Sequence, residues 1–246
     1  MFKLVPILAA ALYGFILWWF SAWRLKADLD AKSAELVDPA LRRVTDRMAA
    51  ALEIDRIRVH LYEVEPVNGL AVPDGRIFIT RGFYQKFRAG EVSPEEMASV
   101  IAHELGHVAL GHARRRMIDF SGQNALRTAI AMVLSRVLPG IGALVANAVA
   151  GAVAARLSRG DEFAADEYAS ALLVKAGIGT GPQKSLFRKL HALTGARGSS
   201  MPAWFLSHPK VDSRIAAIEA NERRWGIDGN SGGPAGGAAP RAPMDT

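Results

Sequence analysis

Two histidines set four residues apart inside a strongly signalled helix, in His103-Glu104-Leu105-Gly106-His107, constrain this 246-residue chain more than any other feature. Ser93-Pro94-Glu95-Glu96 supplies an N-cap, a proline at the first helical position and a capping-box glutamate, which predicts a helix from there to about Arg116. At that spacing both imidazoles leave one face of the helix, so they can hold one metal ion between them. Glu104 stands close enough to exchange a proton with an attacking water without being a ligand itself. Val100, Ala102, Val108 and Leu110 are apolar or small, and predict that this helix is buried. A five-residue pattern is short enough to arise by chance; its place inside a capped helix gives it weight.

A catalytic zinc takes three protein ligands and keeps a fourth place for water, so a third donor has to arrive from another segment. A third histidine six residues beyond His107 is excluded, because Ala113 stands there. His112 comes one residue early and leaves another face, which predicts packing or support rather than ligation. Glu162 in Glu162-Phe163-Ala164-Ala165-Asp166 is the better candidate. Asp166 would then share its face and accept a hydrogen bond from a ligand imidazole, fixing its tautomer and orientation. The plainer alternative is a solvated acidic helix face, and the apolar sequence on both sides of the pair speaks against it. One zinc ion per chain is the expected cofactor.

From Leu4 to Trp23 no residue is charged, a run of twenty residues that can cross a bilayer as a helix. Trp18, Trp19 and Trp23, then Arg24 and Lys26, give its far end the pattern of an aromatic belt and head-group anchors. The apolar run is long for a leader and no convincing small-x-small cleavage site precedes the polar segment, so residues 1–25 are read as one uncleaved transmembrane helix that contacts membrane lipid. Residues 26–225 form the catalytic domain. The Gly, Pro and Ala-rich stretch 226–246 is a disordered tail.

Within the domain, Asp38-Pro39 opens a helix to about Leu52. Ile57, Val59 and Leu61 alternate with polar residues, and NGLAV and RIFIT flank a turn at Pro73-Asp74-Gly75. Helical patterns follow around Glu162 to Val174, Pro182 to Leu193 and Pro209 to Arg223. The fold class is therefore α+β, mainly helical with a small sheet. The apolar stretch from Ala129 to Ala155 lies between His107 and Glu162. Those ligands must reach one metal, so the stretch crosses no membrane and is read as a helical hairpin at Pro139-Gly140 that covers the cleft.

The formal net charge is +6, yet Lys and Arg are scattered and not interleaved with aromatics, which argues against nucleic acid as a partner. The absence of cysteine removes a disulfide framework, a thiolate metal site and a thiol nucleophile together.

Four motifs, PVNGLAVPDGRIFITRGF, HELGHVALGH, SRGDEFAAD and SHPKVDSRI, follow one another between about Val67 and Ile218. In this order the chain resembles the CAAX prenyl protease and HtpX-like group of gluzincin zinc metallopeptidases, many of which act in membrane protein quality control. The resemblance implies a zincin-like domain, hydrolysis of peptide bonds and polypeptide substrates. It also implies that Glu162 is the third ligand, Asp166 its supporting partner, and His208 with Arg214 a pair near the substrate carbonyl.

His208 then becomes a candidate donor to the developing oxyanion. On its own chemistry Arg214 can equally pair with an acid. Asn68 matches the family's strand asparagine in substrate binding, whereas Gly69 stands where that strand usually carries Ala or a larger residue. His60 and His191 belong to no motif and are read as structural. Similarity to single-anchor periplasmic proteases implies a periplasmic domain, although Arg24, Lys26, Lys32, Arg42 and Arg43 after the span lean toward the cytoplasm. A zinc-binding chaperone or scaffold is the rival function, and the intact Glu104 argues against it.

Overall fold

The computed structural model describes residues 5–72, 74–112, 142–195 and 211–227. Two compact units divide the chain, Met1–Ala31 with Gly111–Asp161, and Lys32–Leu110 with Glu162–Thr246.

The first unit holds nearly all of α1 (Val5–Lys32), one continuous helix. The helix runs on past Arg24 because Leu25-Lys26-Ala27 is made of good helix formers, with no Gly or Pro to stop it. Leu8, Leu12, Tyr13, Ile16, Phe20 and Trp23 are exposed, and Trp19 is 61% exposed. Among the described residues no helix is long and apolar enough to cross a membrane, which narrows the expected span to an exposed apolar helix. In the same unit His112 and Asp161 are both buried, with Nε2 and Oδ1 3.5 Å apart.

The second unit contains a four-stranded sheet of β1 (Ser33–Glu35), β2 (Val59–Tyr62), β3 (Gly69–Ala71) and β4 (Ile77–Thr80), in the order β1-β2-β4-β3. The expected hairpin is present as the antiparallel pair β3 and β4, with Gly69 opposite Ile79 and Ala71 opposite Ile77. β2 runs parallel to β4, and β1, which the sequence reading did not anticipate, pairs antiparallel with β2. Val59, Ile77 and Ile79 point into the core, where they join Ala98, Val100 and Ile101.

Helix α2 (Pro39–Leu52) starts where expected, because the Asp38 carboxylate accepts from the Ala40 and Leu41 amides at 2.9 and 3.2 Å. Helix α3 (Arg81–Arg88), also unanticipated, follows β4 directly and buries Phe83. Helix α4 (Pro94–Ala109) carries the predicted capping box: Ser93 Oγ accepts from the Glu96 amide at 3.1 Å and the Glu96 carboxylate accepts from the Ser93 amide at 2.8 Å. It ends at Ala109 rather than about Arg116, since Gly111 adopts φ +65°, a conformation that breaks the helix. Val100 and Ala102 are buried as expected, but Leu110 is 39% exposed, having fallen past the helix end.

Among the described residues three more helices follow: α5 (Gly142–Lys175), α6 (Gly181–Gly195) and α7 (Val211–Trp225). The last part of the Ala129 to Ala155 stretch and the Glu162 helix, read as separate, form one helix in α5. The expected hairpin at Pro139-Gly140 lies outside the described residues, as do Pro73, His208 and the chain beyond Ile227. Ile227 itself is buried, and its amide donates to the Glu222 carbonyl at 3.1 Å.

Candidate metal centre

Helices α4 and α5 meet where both sequences are small. A Cβ built on Gly106 would lie 3.0 Å from the Ala165 carbonyl oxygen and 3.1 Å from its Cα. Gly106 sits between the two histidines, and Ala165 between Glu162 and Asp166. This close backbone approach brings the two pairs of side chains face to face.

The His103 and His107 Nε2 atoms are 3.1 Å apart, and each is 3.4 Å from one oxygen of the Glu162 carboxylate. All three residues are buried, and their donor atoms lie within 4.8 Å of one another. Two donors on a tetrahedral zinc with bonds near 2.0–2.1 Å stand about 3.3 Å apart. The observed spacings match that value, so these residues fit the ion: two imidazole nitrogens and one carboxylate form a three-donor set that keeps a fourth place for water.

Behind this face lies a second set of partners. His103 Nδ1 is 2.9 Å from Asp166 Oδ1, so with Nδ1 donating, Nε2 is left to face the centre. Asp166 is clamped from its far side by Arg214 of α7, whose Nε and Nη2 donate to its two oxygens at 2.6 and 2.7 Å. The guanidinium is only 1% exposed, and its Cζ lies 4.4 Å from the centre of the buried Phe187 ring on α6. Nη1 is 3.8 Å from Glu162 Oε2. Ser170 and Gln183 donate to the Asp166 carbonyl at 2.8 and 3.3 Å.

These contacts set the charges. Burial by itself disfavours an imidazolium, but hydrogen bonds to Asp166 and Glu162 outweigh it and raise His103 to about 9. Burial pushes the Asp166 carboxyl the other way, and Arg214 overrides it, holding that group below the ordinary carboxylate range.

Glu104 is 4% exposed on α4. Its side chain runs beside β3: a Cβ built on Gly69 would lie 3.7 Å from both Cγ and Oε1 of Glu104, and 2.8 Å from Val100 Cγ1. The Asn68 backbone is fixed by Thr80, whose Oγ1 accepts from the Asn68 amide at 2.9 Å while its amide donates to the Asn68 carbonyl at 3.1 Å. Asn68 Oδ1 is buried and has no hydrogen-bond partner among the described residues.

The structure thus brings together His103, His107, Glu162, Asp166 and Arg214, with Glu104 between the two histidines in sequence and Gly69 against it. Arg214 pairs with an acid, the alternative its own chemistry offered. Phe187, Ser170 and Gln183 were not singled out from sequence. The small residues Gly106, between the paired histidines, and Ala165, between Glu162 and Asp166, are the sequence signal of how near the two helices come.

A model of the family described as peptidase family M48 matches residues 35–222. The chain is 33% identical over 171 residues to metalloprotease LoiP of Escherichia coli (strain K12), covering 70% of this chain and 65% of that one. It is 27% identical over 166 residues to a putative beta-barrel assembly-enhancing protease of Vibrio cholerae, covering 65% of this chain and 33% of that one. With a protease HtpX homolog of Acidovorax ebreus, identity is 26% over 205 residues, covering 67% and 65%. The match therefore spans less than two thirds of each of these relatives' length.

Proposed function

The chain belongs to peptidase family M48, and from that premise we propose that it is a zinc-dependent metalloendopeptidase that hydrolyses peptide bonds of misfolded or membrane-associated proteins in the cell envelope. The observation that carries this reading is the convergence of His103 and His107 of α4 with Glu162 of α5 at zinc-donor spacing, beside the buried Glu104 of α4. Zinc, when bound by those three residues, would supply Lewis-acid polarisation of the peptide carbonyl.

The protein's own groups do the rest. Glu104 takes the proton of the attacking water and returns it to the leaving amine, work that needs a carboxylate held next to the ligands but not among them. Asp166 orients His103, and Arg214 keeps Asp166 ionised. His208 is assigned as a donor to the oxyanion and Asn68 as a substrate contact, both by family resemblance. β3 is an edge strand of the sheet and can pair its main chain with an extended polypeptide. Such binding makes little demand on side chains, which suits varied, unfolded substrates.

Attachment to the membrane is assigned to α1, whose large apolar side chains are exposed, with the domain on the periplasmic face. The polypeptide activity is tested by Glu104→Gln in the full-length chain. That variant keeps about one zinc per chain and loses casein hydrolysis by ~10²–10⁴-fold, the usual size for removing an acid-base group. Full hydrolysis in Glu104→Gln ends the assignment.

A further inference from the structure

The geometry points to Gly69 as a positioning residue: the missing side chain at 69 seats the outer strand β3 directly on α4 and so fixes the wall against which the Glu104 carboxylate is held. This rests on the peptidase reading and adds to it a residue outside the ligand and proton-transfer set.

Gly69 faces the core side of the sheet, opposite Ile79, whose side chain is buried in the cluster with Val100 and Ile101. A Cβ there would come within 2.8 Å of Val100 Cγ1, closer than real Cβ contacts allow. Val100 is buried and β-branched, so it has little rotamer freedom with which to retreat. Nor can the strand simply twist away. The Asn68 carbonyl accepts from the Thr80 amide at 3.1 Å, and the Val72 amide donates to the Arg76 carbonyl at 3.1 Å, which ties β3 to β4 on both sides of Gly69. An added methyl therefore lifts β3 and α4 apart.

What moves is specific. Val100 lies one helical turn before Glu104, and the Cγ and Oε1 atoms of Glu104 are the next nearest neighbours of that position. The zinc donors are insulated from the shift, because His103 and Glu162 are fixed by Asp166 and Arg214. A methyl at 69 should thus spare the metal and displace the proton carrier relative to the substrate strand. Misplacement by 1 Å can cost about a hundredfold in rate, and a shift of a few tenths of an ångström is expected to cost roughly tenfold.

The test uses the full-length, zinc-loaded chain in four forms: wild type, Gly69→Ala, Val100→Ala and Gly69→Ala/Val100→Ala. Removing Val100 Cγ1 makes room for the new methyl, so the double variant should recover most of the kcat that Gly69→Ala loses, with zinc content unchanged throughout. Wild-type turnover in Gly69→Ala, or a double variant no better than that single one, overturns the inference. Thermal unfolding of the same four chains needs no substrate. Relief of the Gly69→Ala loss by Val100→Ala supports the seat, and additive losses refute it. A zinc-loaded wild type without turnover defeats the peptidase reading alone, and the unfolding cycle still decides the seating of β3.

Discussion

Asp166 carries two obligations at once. It accepts from a ligand imidazole on one side and neutralises a buried guanidinium on the other. Replacing it with Asn should lower zinc affinity by about ten- to a hundredfold, as loss of a partner behind a metal ligand does, which competition with a chromogenic chelator would measure. The same change takes from Arg214 the carboxylate that its Nε and Nη2 hold, and breaking a buried ion pair costs about 3–5 kcal/mol of stability. Asp166→Asn/Arg214→Met should regain most of that stability while the metal stays weakly held. Equal recovery of both would mean that Asp166 acts only through the fold. The sequence made His103, Glu104, His107, Glu162 and Asp166 legible because their spacing is local to one helix each. Arg214 was legible as a residue but not as a partner: it meets Asp166 at a separation of 48 positions in sequence, and no periodicity reports such a meeting.

At the level of elements, the start of α4 is where local chemistry and tertiary packing coincide. Glu96 closes the capping box and also receives Ser185 Oγ and Lys189 Nζ from α6, each at 2.7 Å. Ser93→Ala removes only the cap, and should lower stability by about 1 kcal/mol in a denaturant titration. An unchanged midpoint would show that the contacts to α6 alone set this end of the helix. Caps at Asp38 and Ser93 were readable because a proline and a short polar side chain act within one turn. The end of α4 and the strand β1 were not. A three-residue strand has too little sequence to show alternation, and β1 exists through its pairing with β2. The α+β class and the hairpin followed from alternation and turn residues; the parallel register of β2 on β4 depends on contacts that only the folded chain makes.

On the scale of the molecule, α1 sets the question of where the protein works. A helix that exposes Leu12, Ile16, Trp19 and Phe20 needs a partner for that surface. With lipid as the partner, the chain should remain with membranes through alkaline carbonate washing and be released by detergent; release by carbonate alone would reject the anchor. The other whole-chain property is how widely the metal centre is gathered, from His103 on α4 through Glu162 on α5 to Arg214 on α7. A growing polypeptide therefore carries both histidines well before it can complete the site. At translation rates of about 5–20 residues per second, the wait between His107 and Arg214 is roughly 5 to 20 s. During that time the growing chain carries the two imidazoles without the Arg214 clamp on Asp166, so the metal centre is complete only once α7 has been made.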